Sequence, residues 1–142
     1  ELAVVIGERA KGVPAERASE YILGYTIMND VTARDIQRSE RLYTRSKGFD
    51  TFAPLGPEVV TGLDPDQLTL TTSVNGAVKQ STRCDDMIFK VPELIAFISS
   101  VMTLEPGDII STGTPSGVGP LGAGDEVSIT ISGLATLTNP VQ

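Results

Sequence analysis

The sequence predicts a β-rich α+β fold. Short apolar or alternating runs of the kind found in strands recur along the chain, beginning with residues 2–6 and 25–29. Asn75-Gly76, the strongest short hairpin signal, joins two such runs. Apolar residues at helical spacing mark two or three helices, of which residues 91–102 form the longest. Many short strands with two or three helices indicate the α+β class.

In the first half of the chain each predicted element follows from a local pattern. Residues 2–6 are small and β-branched, as in a buried strand. Ala15, Ala18 and Ile22 follow helical spacing, and Gly24 is expected to end that helix. The predicted elements are a strand over 2–6, a short helix over 14–23, a strand over 25–29, a turn or short helix over 32–39 and an irregular loop over 40–57.

The second half is predicted to hold a hairpin, a helix and further strands. Val91, Ile95 and Ile98 belong to an i, i+3, i+4, i+7 pattern, so we expect that helix to lie in the core. The predicted segments are strands over 68–74 and 77–82, a helix over 91–102, a turn over 105–108, a strand over 109–112, a loop with five glycines over 113–124, and strands over 125–131 and 134–138.

Composition limits the class of protein. A chain of 142 residues, 40% apolar and 20% charged, fits one soluble globular domain. A net charge of -7 argues against nucleic-acid binding, and no apolar run approaches a membrane span. The absence of histidine excludes a Ser-His-Asp triad or a His-rich zinc site in this sequence. The single cysteine, Cys84, suits a reducing cytoplasm, and the adjacent Asp85 and Asp86 would raise its pKa, so we interpret it as structural.

The chain starts inside a predicted strand and without an initiator methionine. A central strand is a poor place for a natural protein to begin. We therefore expect residues 1–142 to be a single domain that lacks its N-terminal part.

Polar side chains follow the strand over 25–29 at once. Asp30, Arg34 and Gln37 are spaced by four and then three residues, which places them on one side of a helical turn. A carboxylate can hold a hard cation, a guanidinium can bind an anion and an amide can orient a carbonyl. This strand end is therefore a predicted ligand site.

Two further groups of residues are candidates for the same site. Glu1 and Asp30 can ligate magnesium, or they can be a frayed terminus and a capping residue. Lys47, in the long loop, can neutralise a substrate carboxylate or a developing enolate, or be merely solvated. Backbone amides of residues 113–119 and the Thr114 hydroxyl can bind a carboxylate, or form a purely structural wide turn.

Taken together, these segments resemble the C-terminal domain of the fumarylacetoacetate hydrolase family. The matching segments are residues 1–7, 24–37, 47–57, 74–76, 104–119 and 124–125. The resemblance implies a mixed β-roll, usually a homodimer, and a divalent cation, commonly Mg²⁺, with Mn²⁺ or Ca²⁺ as alternatives. It implies that an E-x-E pair and an Asp hold the cation; Glu1 matches the second Glu of the pair and Asp30 the Asp, while the first Glu would precede this sequence.

The resemblance also implies roles for the other candidates. Arg34, Gln37, Lys47 and Thr114 match substrate-contacting positions, and Gly113 offers backbone contacts. A lid with a His-Glu pair that activates water in hydrolases has no match here, so the expected missing part includes that lid.

The implied activity is metal-dependent chemistry on small 2-oxo carboxylic acids. Substrates of the 2,4-dioxo or 2-hydroxydiene type pass through a metal-stabilised enolate, so one scaffold can run hydrolysis, isomerisation or decarboxylation. We expect a cytoplasmic C–C bond hydrolase or isomerase of aromatic catabolism, related to hydroxyheptadienedioate isomerases and acylpyruvate hydrolases. The alternatives are an oxaloacetate-type decarboxylase and a non-catalytic binding domain that keeps the fold.

Overall fold

Two antiparallel sheets carry the fold, and each is built from short strands rich in apolar or β-branched residues. The computed structural model describes residues 1–40 and 42–142. Within these ranges the strands are β1 Leu2–Ile6, β2 Ile22–Met28, β3 Leu55–Val60, β4 Thr69–Val74, β5 Ala77–Arg83, β6 Ile109–Ser111, β7 Glu126–Ile131 and β8 Leu137–Pro140. The strand orders are β3-β2-β1-β6 and β5-β4-β7-β8.

The helices are few and short, which confirms the α+β class. The α-helices are α1 Arg34–Ser39, α2 Thr44–Lys47 and α3 Val91–Val101, and the 3₁₀ segments are Ala15–Tyr21, Pro65–Gln67 and Cys84–Asp86. Every strand pairing in the described part of the chain is antiparallel. In those same ranges no helix is long and apolar enough to cross a membrane.

The core lies between the two sheets. All five residues of β1 are buried, and its alternate side chains Leu2, Val4 and Ile6 join the main apolar cluster. Ile129 and Ile131 of β7 enter the same cluster from the second sheet. Alternation of apolar residues along β7 thus produces the half-buried strand that the sequence pattern indicates.

The predicted hairpin is confirmed. Strands β4 and β5 are joined at Asn75 and Gly76, whose φ angles are 51° and 78°. Positive φ at both central residues is the geometry for which an Asn-Gly pair is favoured, because it matches the twist of the flanking strands.

The predicted helix over 14–23 is wrong in length and in its end. A 3₁₀ segment occupies Ala15–Tyr21, and Gly24 lies inside β2 rather than at a helix end. From Ile22 onwards the chain pairs with β1 in an antiparallel ladder and therefore forms a strand. Gly24 is required there for space, since a Cβ on it would lie 2.6 Å from the carbonyl oxygen of Val60.

The predicted irregular loop over 40–57 is only partly irregular. Helix α2 and the first residues of β3 lie within it, while residue 41 falls outside the described residues. The side chain of Ser46 is fully buried, its hydroxyl donates to the Tyr43 carbonyl, and its own carbonyl accepts the Ala33 N–H at 2.8 Å. These contacts join α1 to α2, and four residues are too few for apolar periodicity to reveal such a helix.

Helix α3 is confirmed, although the residues at its C-terminal end are more exposed than predicted. Val91 and Ile95 are buried in the core cluster, whereas Val101 and Met102 are 67% and 57% exposed. The helix ends at Val101, so the last residues of the predicted stripe project beyond the surface that it packs against.

We predict that Gly24→Ala destabilises the fold by about 1–3 kcal/mol, because the new methyl group must push β3 away from β2. Gly119→Ala is the matched control, since a Cβ at Gly119 meets no atom within 4 Å. Urea unfolding of both variants measures the effect as a shift of midpoint at constant slope. Equal midpoints for the two variants would contradict the close approach at Gly24.

Candidate active site

Glu1 is positioned by the pairing of β1 with β2. Its carbonyl accepts the Met28 N–H at 3.0 Å, and its own nitrogen donates to the Met28 carbonyl at 2.7 Å. Asp30 follows Met28 by two residues, so both acidic residues lie at the same end of the first sheet. The register of two adjacent strands, rather than a local motif, brings them there.

The Glu1 carboxylate is held by donors from β6 and the loop after it. Its Oε2 accepts hydrogen bonds from the Gly113 N–H at 3.1 Å and from the Ser111 hydroxyl, and its Oε1 accepts from the Thr114 hydroxyl. The residue is 8% exposed. The loop therefore contacts the carboxylate of Glu1, and its binding of a substrate carboxylate stays a prediction.

Ser111 is a site residue that the sequence reasoning missed. It is the last residue of β6 and pairs with Ala3 of β1, so its side chain lies on the same face as Glu1. A polar residue at the end of the strand predicted over 109–112 was the available signal. It could not be used without knowing that β6 pairs with β1.

Asp30 forms an ion pair with Lys47. Their side chains are 15% and 35% exposed, and the Lys47 ammonium contacts Oδ2 of Asp30. The hydrogen bond from Ala33 to Ser46 holds α2 against the start of α1 and so carries Lys47 back to Asp30. In this structure Lys47 is thus in a specific contact rather than merely solvated.

Arg34 and Gln37 are adjacent on α1, as their spacing predicts. The Arg34 Nη1 atom donates to Gln37 Oε1 at 2.5 Å. Asp30 is not on the same helical face, because α1 begins only at Arg34 and the preceding residue, Ala33, is extended. The single row of three side chains is therefore corrected to an Arg34–Gln37 pair on the helix and an Asp30–Lys47 pair beside it.

The donor chemistry of Glu1 and Asp30 fits a hard divalent cation. Magnesium commonly takes one or two protein carboxylates and completes its shell with water and substrate oxygens. A carboxylate has about four lone-pair sites, so each can ligate a cation while it still accepts hydrogen bonds. In the ranges that the structure describes, no group of three or more His, Cys, Asp or Glu side chains converges, so a cation held by Glu1 and Asp30 would need further ligands from water or substrate.

An open cavity of about 540 Å³ adjoins the Gly113–Thr114 loop. Its lining is mostly apolar, with polar side chains from the loop and from residues 82–86. The lining includes Leu2, Leu70, Met87, Ile88, Phe89, Leu94, Thr82, Arg83, Cys84, Asp86 and residues 112–116. A small acid held at Thr114 would therefore have mixed polar and apolar space beside it.

Cys84 is buried on one side of this cavity. Burial is the main cause that raises the pKa of its thiol, and the charges of Asp85 and Asp66 raise it further. The predicted direction is confirmed, but its main cause is burial rather than the neighbouring carboxylates. A thiol with a raised pKa is a weak nucleophile, which agrees with a structural role.

Comparison with known proteins identifies the family. The profile of the fumarylacetoacetate hydrolase C-terminal domain matches residues 1–142. The chain belongs to the fumarylacetoacetate hydrolase family. Members of this family generally use a divalent metal ion. The resemblance seen in the sequence is thereby confirmed.

Individual family members are similar over nearly the whole chain. A solved structure of 2-hydroxyhepta-2,4-diene-1,7-dioate isomerase from Mycobacterium marinum is 59% identical, with a TM-score of 0.97, over 99% of this chain and 56% of that one. An uncharacterised protein of Pyrococcus abyssi is 58% identical over 99% of this chain and 65% of its own length. Oxaloacetate tautomerase YisK of Bacillus subtilis is 46% identical over 99% of this chain and 50% of its own. The chain thus spans half to two thirds of the length of these relatives.

We predict that Cys84 reacts slowly with iodoacetamide at about pH 8, since a raised pKa lowers the thiolate fraction at that pH. The rate of alkylation should keep rising at pH values above the pKa of an ordinary thiol, because the buried thiol loses its proton only at higher pH. Mass spectrometry of timed samples, with the urea-unfolded chain as control, measures both rates. Equal rates for folded and unfolded protein would contradict the buried, protonated state.

Proposed function

We propose that the protein carrying this chain is a divalent-metal-dependent isomerase of small 2-oxo carboxylic acids, acting by keto–enol conversion. The observation that carries the proposal is the pair of shielded carboxylates, Glu1 and Asp30, at one end of the sheet, each in contact with hydrogen-bond donors. The names of two relatives, a diene-dioate isomerase and an oxaloacetate tautomerase, support this reaction class. C–C bond hydrolysis is the second candidate, favoured by the family to which the chain belongs.

In this proposal Glu1 and Asp30 hold the cation, most simply Mg²⁺. When bound, a divalent cation supplies a Lewis acid that polarises the carbonyl of a 2-oxo acid. Lys47 already contacts Asp30, so it lies close to any negative charge that develops there. The ion pair also compensates the Asp30 carboxylate while it is shielded from water.

The remaining residues bind and orient the substrate. The Thr114 hydroxyl and the Gly113 N–H can share their hydrogen bonds between Glu1 and a substrate carboxylate. Arg34 adds positive charge from the exposed face of α1, and Gln37 can orient a carbonyl oxygen. During enolisation, the Lys47 ammonium can donate a hydrogen bond to the oxygen on which charge develops.

Assembly as a homodimer, a cytoplasmic location and a role in aromatic catabolism stay predictions. The apolar side chains between Phe49 and Leu55 pack partly against one another. Phe49 and Phe52 meet edge to face with ring centres 5.5 Å apart, while Phe49 and Leu55 remain 42% and 47% exposed.

Asp30→Asn tests the metal site. We predict that the full-length protein binds Mg²⁺, that oxalate, an enolate mimic, tightens this binding, and that Asp30→Asn weakens it by at least about 100-fold, since it removes a ligand charge. Asp50→Asn, at an exposed position of the neighbouring segment, is the matched control. Calorimetric titration of the wild type and both variants, with and without oxalate, measures all six affinities. Unaltered binding in Asp30→Asn would remove this residue from the site.

Lys47→Met separates catalysis from metal binding. We predict that kcat for keto–enol conversion, measured from the ultraviolet absorption of the enol, falls about 10²–10³-fold because a charge-stabilising donor is lost. Metal affinity should hold or rise, since the ammonium no longer competes for Asp30. Lys11→Met, at an exposed lysine in the segment after β1, should leave kcat unchanged.

The outcome of the same assay distinguishes the competing functions. Release of carbon dioxide from oxaloacetate in place of enol conversion would favour the decarboxylase. Cleavage of a 2,4-dioxo acid would favour the hydrolase. Neither turnover nor metal binding in the full-length protein would favour a binding domain.

A further inference from the structure

The loop that carries Gly113 and Thr114 is fastened to the edge strand of the second sheet. The Gln80 side chain, half-buried on β5, donates from Nε2 to the carbonyl oxygen of Pro115 at 3.0 Å. Strand β5 is the outermost strand of its sheet in the order β5-β4-β7-β8. The contact therefore links the second sheet to a site whose carboxylates come from the first sheet.

A β-bulge lies in β5 next to this contact. Gln80 pairs with Thr72 and Val78 pairs with Ser73, so Lys79 has no partner residue on β4. Bulges are common at sheet edges and near active sites, where they bend the strand and redirect its groups. The Lys79 carbonyl oxygen lies so close to Gly117 that a Cβ on that glycine would be 2.0 Å from it.

Gly117 also has a φ of 102°, a conformation that residues with side chains rarely adopt. The loop thus contacts the bulge at two points, through the Pro115 carbonyl and through the backbone of Gly117. Both contacts lie within three residues of Thr114.

The restricted backbone angles of the loop couple this hydrogen bond to the positions of Thr114 and Gly113. Proline fixes its own φ near -65° and restricts the preceding residue to extended conformations. Thr114-Pro115 is therefore a stiff dipeptide. A hydrogen bond that fixes the Pro115 carbonyl also limits where the Thr114 hydroxyl and the Gly113 N–H can lie.

We propose that Gln80 is a positioning residue, which sets the placement of the Thr114 hydroxyl and the Gly113 N–H through its hydrogen bond to Pro115. These two donors contact Glu1 directly, whereas Gln80 acts only through the loop. The catalytic consequence rests on the proposed function, in which the same donors bind the substrate carboxylate. The mechanical consequence, a fixed loop, does not depend on it.

Gln80→Met tests the proposal, because it keeps the length of the side chain and removes the donor. In the full-length protein with Mg²⁺ we expect oxalate to bind about tenfold more weakly, the factor that corresponds to one lost hydrogen bond. Mg²⁺ alone should bind as in the wild type, and KM should rise with little change in kcat, since the lost interaction binds ground and transition states alike. Ser81→Ala, an exposed neighbour on β5, is the matched control and should change none of these values.

A second measurement needs no ligand. Hydrogen exchange of the 113–117 segment should become about tenfold faster in Gln80→Met, with the rest of the chain unchanged. Gln80→Lys restores an N–H donor of similar reach and should return the exchange rate towards that of the wild type. Ser81→Ala should exchange as the wild type does.

The two measurements distinguish the failure of each proposal. Unchanged exchange in Gln80→Met, or faster exchange throughout the fold, would overturn the positioning role. Faster exchange confined to the loop would support it even if the wild type bound neither Mg²⁺ nor oxalate, a result that would overturn only the proposed function. If the wild type binds oxalate and Gln80→Met binds it equally well despite faster exchange of the loop, the link between Gln80 and the substrate is overturned.

Discussion

The pairing of β1 between β2 and β6 is the constraint on which the site depends. Leu2 pairs with Ile27 and Ala3 pairs with Ser111, so Glu1 is held beside Met28 on one side and near Ser111 on the other. Alternation along the strand sends Leu2 into the core and Glu1 to the opposite face. A slip of one residue would move Leu2 out of the main apolar cluster and turn Glu1 away from the face that it shares with Ser111, so the register that stabilises the core also positions Glu1.

The energetic difficulty of this arrangement is the shielding of two carboxylates in a chain of net charge -7. An unpaired carboxylate removed from water is costly, and each of these two is compensated in a different way. Glu1 accepts from two hydroxyls and one backbone N–H, which are neutral dipoles, whereas Asp30 faces the full charge of Lys47. The Glu1 carboxylate is thus contacted by neutral donors, while the charge at Asp30 is partly balanced by the Lys47 ammonium.

Sequence reasoning succeeded where the determinants are local. The Asn75-Gly76 hairpin and helix α3 follow from turn chemistry and spacing, and the Arg34–Gln37 contact follows from helical periodicity. The candidates Glu1, Asp30 and Lys47 follow from strand ends, from the long loop and from family motifs. The Asp30–Lys47 pair, the Ser111 contact and the strand position of Gly24 were not predicted, because each depends on which distant strand or helix lies alongside.

Two segments without regular secondary structure restrict the backbone near the candidate site: the one between Lys47 and β3 and the loop after β6. Between Lys47 and β3, Thr51 and Ala53 adopt φ angles of 70° and 55°, which cost about 1–3 kcal/mol each and persist only where the surroundings enforce them. The carbonyl of Pro54 accepts the Asn29 N–H at 3.0 Å, beside Asp30, just as that of Pro115 accepts from Gln80 beyond Thr114. In both cases the acceptor belongs to a proline, whose φ is already fixed, so the hydrogen bond further restricts the backbone of the loop. Two irregular loops thereby restrict the positions of polar groups beside the strand ends, and under the proposed function this restriction would favour charge stabilisation without reorganisation.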